Sequence, residues 1–141
     1  KSNVIRFAGA KRPLYLVAKK DNFNPINVSN IYSELIQEEN SLYEIKGNNC
    51  SIGAEDPVFK VAEQVFEYNK GDAIYLSSDG YADQFGGEAD RKFKSKRLKN
   101  MLLSIQDKSM SEQKEALVQE FQNWKGDKEQ IDDATIIGVK L

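Results

Sequence analysis

The sequence predicts an α+β fold in which antiparallel β-sheet layers carry a packed helix pair, and three observations lead to it. Short β-favouring runs separated by turn residues fill the chain as far as Asp79. After Ser95 the apolar residues take a helical period, and from Thr135 to Leu141 the chain returns to a strand pattern.

Taken in order, Val4–Phe7 and Leu14–Val17 are β-favouring runs joined by a segment with Gly9 and Pro13, which reads as a hairpin. The polar stretch from Lys19 to Asn30, with Pro25, reads as a loop. Two candidate strands follow, Ile31–Gln37 and Leu42–Ile45, split by Glu38 to Ser41; the first reads equally well as a helical turn. After a Gly47 turn and an Ile52-Gly53 loop, the stretch Val58–Tyr68 contains another strand, and Asn69 to Asp72 turns it into the run Ala73–Leu76. Leu98, Met101, Leu102 and Ile105 then form one apolar stripe, the mark of a helix. Ser109 with Glu112 makes a capping box for a second helix, whose buried face carries Leu117, Phe121 and Trp124 and whose C-cap is Gly126.

Composition narrows the chemistry. The 141 residues contain no histidine, so a serine triad, a histidine general base and a zinc site with imidazole ligands are all excluded. Cys50 is the single cysteine, so there is no disulfide framework or thiolate cluster, and a cytoplasmic location is the expectation. Without a histidine to activate it, Cys50 reads as a structural or loop thiol. With 20 basic and 22 acidic side chains the net charge is -2, which gives no overall attraction to nucleic acid or an anionic membrane. The apolar runs are too short to span a bilayer. The expectation is one domain over residues 1–141, with contact to neither nucleic acid nor membrane.

Two acidic motifs carry the functional information: Ser77-Ser78-Asp79-Gly80, after one strand run, and Ile131-Asp132-Asp133-Ala134-Thr135, before another. Each places a carboxylate at a strand end. Oxygen ligands brought together from distant parts of a chain suit magnesium or manganese, ions that activate water and neutralise phosphoryl oxygens. Either motif alone is more often a simple turn. It is their joint occurrence, in this order and with two helices between, that points to phosphate-ester hydrolysis.

The run Gly71 to Gly87, the two helices and the Asp132-Asp133-Ala134-Thr135 segment together resemble the C-terminal part of the metal-dependent protein serine/threonine phosphatases, the PPM family, and in particular its bacterial SpoIIE-type branch. The segment Phe7 to Leu14 is similar to that branch's alanine-glycine step before a proline, and Ser51-Ile52-Gly53 to its proline-isoleucine-glycine loop with serine in place of proline.

The resemblance implies the C-terminal part of an α-β-β-α sandwich. It also implies a reaction in which two or more magnesium or manganese ions share a water that attacks phosphoserine or phosphothreonine in line, with no phosphoenzyme. Asp79 and Asp132 correspond to family carboxylates on one ion, while Asp133 falls where many members carry asparagine. Gly80 would allow close approach beside the ion. On this reading Asp79 and Asp132 lie near enough for one cation to bridge them. The family's aspartate-glycine motif and its further upstream aspartate have no counterpart here, since nothing before Phe7 offers a carboxylate. The expectation is therefore a piece that is inactive alone and prone to self-association through uncovered apolar surface.

Two function classes remain open. One is a bacterial signalling phosphatase acting on a phosphoserine or phosphothreonine protein; the other is a noncatalytic module that binds a phosphoprotein. Near the first motif, Phe85-Gly86-Gly87 reads as a flap over the site or as a plain loop. The basic cluster containing Lys94, Lys96 and Arg97 reads as a substrate-recruiting patch or as a solvated helix start.

Overall fold

The computed structural model describes residues 3–29, 31–52 and 61–141. It divides into two compact units, Lys1–Leu76 with Val139–Leu141, and Ser77–Gly138.

The first unit holds two antiparallel sheets. Its strands are β1 (Val4–Phe7), β2 (Leu14–Lys19), β3 (Asn24–Asn27), β4 (Ile31–Gln37), β5 (Asn40–Ile45), β6 (Gln64–Glu67) and β7 (Ala73–Ser77). With the final strand β10 (Ile136–Lys140), they form a five-stranded sheet ordered β10-β7-β2-β5-β4 and a three-stranded sheet ordered β1-β6-β3. β2 is central, pairing Leu14 with Ile45 on one side and with Leu76 on the other. Residues Leu14 to Ala18 are buried without a break, as expected for a strand covered on both faces. Leu14, Leu16, Ala18, Tyr43, Ile45 and Phe66 make a core that joins the two sheets, with Ile5, Phe7 and Phe23 packed against it. Each large apolar side chain buried this way contributes about 1.5–3 kcal/mol.

Two expectations change here, and one choice left open is decided. Val4–Phe7 does not form a hairpin with Leu14–Val17: β1 pairs with β6, Val4 opposite Glu67, because Ile5 and Phe7 reach the shared core from the other sheet. The connecting segment is fixed instead by Asn48, which donates its N–H to Gly9 O at 2.8 Å and accepts from Lys11 N at 2.8 Å. The polar stretch after Lys19 is not all loop, since it contains β3, an edge strand with a bulge after Pro25. An edge position tolerates a residue without an N–H, which is why composition concealed it. Residues Ile31–Gln37 form a strand and not a helical turn, and β5 begins at Asn40, so the separating turn is only Glu38-Glu39, with Glu38 at φ 54°. Gly53 and Val58–Lys60 lie outside the described residues; the strand expected in that stretch is β6.

The second unit contains α1 (Gly80–Asp83), a small hairpin of β8 (Phe85–Gly86) and β9 (Arg91–Lys92), α2 (Ser95–Ser104) and α3 (Met110–Lys125). Leu98 and Leu102 are buried on α2 as their spacing predicts, joined by Leu103 and by Ile105 at the C-cap. The capping box of α3 is present, with Ser109 N donating to Glu112 Oε2 at 2.8 Å, and Gly126 ends the helix at φ 54°. An aromatic cluster ties the unit together. Tyr81 meets Phe93 edge-on at 5.1 Å and Phe121 at 5.0 Å, and Phe93 meets Trp124 at 5.5 Å. The hairpin and α1 carry too few residues to leave a periodic signal in the sequence.

Candidate metal centre

The site grows out of the end of β7. Ser78 leaves the strand, Asp79 is the N-cap of α1 at φ -79° and ψ -21°, and Gly80 opens that one-turn helix. The Asp79 side chain does not cap the helix; its main-chain oxygen accepts from Asp83 N at 2.9 Å.

The second motif lies against the first. Ser78 Oγ donates to Asp133 O at 2.7 Å and accepts from Thr135 N at 2.9 Å, while Ser78 N donates to Thr135 O at 3.0 Å. Gly80 is buried so closely beside this strand entry that a Cβ added there would stand 2.5 Å from Asp133 O. Here the glycine serves contact, not an unusual backbone angle. Asp132 Oδ1 accepts from Asp133 N at 2.7 Å, and Asp132 O accepts from Gln130 Nε2 at 2.9 Å, so the acidic turn is shaped by its own short-range bonds. Asp79 is half-buried, whereas Asp132 and Asp133 are exposed.

In kind, this donor set fits a hard divalent cation: it consists of carboxylates from two motifs, with neither imidazole nor thiolate. In number it is sparse. Among the described residues no group of three or more acidic, histidine or cysteine side chains gathers as a ligand set. Waters or phosphate oxygens would have to supply the remaining ligands.

Residues 20–141 match the family model of stage II sporulation protein E, SpoIIE. The chain belongs to the SpoIIE family. The solved structure of the SiaA-PP2C domain of Pseudomonas aeruginosa is similar, with a TM-score of 0.73 and 29% sequence identity over 99% of this chain and 46% of that one. The chain thus spans about half the length of the solved chain it matches. Among curated proteins none matches. The α+β architecture with antiparallel sheets is that of the PP2C domain, and the family is the one its two acidic motifs resemble.

The glycines after Asp79 have a packing role in this SpoIIE-family chain. Gly86 lies against the main chain of Trp124 so tightly that a Cβ would overlap its carbonyl, and Gly87 N donates to Trp124 O at 2.9 Å with its own Cα facing the indole. Phe85-Gly86-Gly87 is therefore seated on the end of α3, a contact that favours the second of the two readings, loop over flap. Phe85 itself is 39% exposed, with Lys92 Nζ 6.0 Å from its ring.

The side chains of the basic cluster are engaged to different degrees. Arg97 pairs with Glu120 at 2.7 Å and lies over Trp124 at 4.3 Å and Phe93 at 4.9 Å, so its guanidinium is committed to joining α2 and α3. Lys92 pairs with Asp83 at 3.2 Å. Lys96 is exposed, as is Lys94, which stands at the N-cap of α2 with φ 75° and ψ 144°, a conformation that favours glycine.

Sequence reasoning missed Ser78, which joins the two motifs, and Tyr81, which braces α1 against α3. Ser78 was visible only as a hydroxyl beside an aspartate, and no period marks such a clamp. Tyr81 donates to Leu117 O at 2.8 Å, and burial, with Glu120 adding to it and Arg97 opposing, pushes its phenol well up, so it is a neutral strut. Among the described residues, no helix is long and apolar enough to cross a membrane.

Proposed function

We propose that this chain is part of a metal-dependent protein serine/threonine phosphatase of bacterial signalling, and that Asp79 and Asp132 hold one magnesium or manganese ion, with Asp133 beside them. The observation that carries the reading is the pair of hydrogen bonds between Ser78 Oγ and the Asp133–Thr135 segment, one donated and one accepted, which sets two acidic motifs distant in sequence side by side. The SpoIIE family match and the likeness to a PP2C domain supply the reaction class.

A cation held there would supply charge neutralisation at phosphoryl oxygens and a water of lowered pKa as nucleophile. The chain's own residues contribute position. Asp79 and Asp132 would fix the ion and Gly80 keeps Cβ bulk out of the gap, while Ser78 holds the second motif in register. The intact domain would use two or more ions on a phosphoserine or phosphothreonine protein, in the cytoplasm, and the 141 residues alone would hold one ion weakly and turn over no substrate. Lys94 and Lys96 are the cluster members better placed to recruit a phosphoprotein, since Arg97 is engaged. Self-association is supported by the exposure of Ile137 and Val139, 56% and 44%, on the edge strand β10.

The test is hydrolysis of a phosphothreonine peptide by the intact protein with manganese, wild type against Asp79→Asn. Manganese-dependent turnover abolished by the substitution supports the phosphatase. Saturable peptide binding with no phosphate release in either form supports the noncatalytic binding module in its place.

A further inference from the structure

Gln84 is fully buried, with 0% exposure, at the C-cap of α1, five residues after Asp79. Its side chain reaches the other acidic motif: Nε2 donates to Glu129 O at 3.0 Å, three residues before Asp132, and to Phe85 O at 3.0 Å. Its main-chain oxygen accepts from Trp124 Nε1 at 3.0 Å and from Phe93 N at 2.9 Å. The residue is thus held in place by α3 and by the segment entering α2, and its amide is aimed at the loop that carries Asp132.

The other amide atom is informative. Gln84 Oε1 is buried and accepts no hydrogen bond from a described protein group. A side chain chosen for packing alone would be apolar here, because a buried unpaired acceptor is destabilising. What the position uses is the donor. The loop from Glu129 to Thr135 is therefore tied at two points, at Glu129 by Gln84 and at Asp133 and Thr135 by Ser78. Both ties come from the segment around Asp79: Ser78 precedes it and Gln84 ends the short helix it begins.

We propose that Gln84 is a positioning residue that holds the stretch from Glu129 to Asp132 at a fixed place relative to Asp79. On the Glu129 side Lys128 also pairs with Asp90 at 2.9 Å, but that ion pair is solvent-exposed and one residue further from Asp132, so the buried Gln84 bond is the anchor nearer the acidic pair, opposite the one made by Ser78. The consequence for cation binding rests on the metal-dependent reading above, while the tie itself does not.

The experiment compares wild type, Gln84→Met and Trp124→Phe in the intact protein by amide hydrogen exchange and by manganese titration calorimetry. Gln84→Met keeps the volume while removing both the donor and the unpaired acceptor. Trp124→Phe removes a bond to the same residue's carbonyl and leaves the side-chain tie intact. Expected are exchange over residues 127–134 faster by about tenfold in Gln84→Met with α3 unchanged, manganese affinity lower by about tenfold, and the loop in Trp124→Phe close to wild type. Loop exchange equal to wild type in Gln84→Met, or an equal loosening in Trp124→Phe, overturns the proposal. If wild type takes up no manganese, the cation reading fails and exchange alone judges the tie. Should Gln84→Met not fold, Gln84→Asn, whose amide is one methylene short of Glu129, carries the same outcomes.

Discussion

Ser78 and Asp133 are joined by a hydrogen bond of 2.7 Å from the serine hydroxyl to the aspartate's main-chain oxygen, and the same hydroxyl accepts from Thr135 N at 2.9 Å. One small side chain thus fixes the relation of the two acidic motifs. Ser78→Ala removes both bonds, and with each worth about 0.5–1.5 kcal/mol net the expected loss is roughly 1–3 kcal/mol in a urea unfolding experiment. A loss below about 0.5 kcal/mol would mean that water replaces the hydroxyl without cost.

Gly80→Ala tests the same junction by adding bulk. The new Cβ would stand 2.5 Å from Asp133 O, against main chain that cannot rotate away. We expect destabilisation of about 1–3 kcal/mol and weaker cation binding, since relief requires the two motifs to move apart. A variant as stable as wild type would show that the junction is loose.

Lys94 separates backbone demand from charge. At φ 75° and ψ 144° a non-glycine residue is strained, so Lys94→Gly should be more stable than Lys94→Ala by about 1 kcal/mol in chemical denaturation, although glycine is ordinarily the less favourable of the two. If phosphoprotein turnover by the intact enzyme falls equally in both variants while a small aryl phosphate is unaffected, the lysine charge also recruits substrate. An alanine variant at least as stable as the glycine one would contradict the strain.

Asp72 predicts a pH dependence. It is buried, its Oδ2 accepts from Asn69 N at 2.7 Å, and burial raises its carboxyl above the ordinary range, with the Asn69 bond pulling the other way. A carboxyl with a raised folded-state pKa binds its proton more tightly when folded, so stability falls as pH rises from the unfolded value through the folded one. Asp72→Asn keeps an oxygen for the Asn69 N–H and has no proton to lose. Thermal unfolding should find it at least as stable as wild type at neutral pH, with the advantage shrinking towards the ordinary carboxylate pKa of ~3.9. An advantage that grows on acidification would reverse the sign.

Much of the fold was legible, and what was not has a common cause. Leu98 and Leu102 on α2, the Ser109 and Glu112 box of α3 and its Gly126 stop are local patterns, and the structure follows them. The partner of β1 is not legible in the sequence because Ile5 and Phe7 answer to a core made with Leu14, Leu16 and Phe66, a long-range choice that no run of residues encodes. β3 was missed because an edge strand rich in asparagine, with a proline, has the composition of a loop. In the site the acidic motifs were visible as residue types at strand ends. Ser78 and Gln84 were not, since a clamp is defined by what lies across from it, and for both that partner is more than forty residues away in the chain.

The most direct measurement is manganese binding to this chain by titration calorimetry, comparing wild type with Asp79→Asn, Asp132→Asn and the double variant. If the two carboxylates share one ion, wild type binds a single manganese, each single substitution weakens it by about tenfold or more, and the double variant is little worse than the singles, because the second removal acts on a site already lost. Asp133→Asn should cost less than Asp79→Asn. Binding unchanged by either single substitution, or losses from Asp79 and Asp132 that simply add, would contradict a shared cation site.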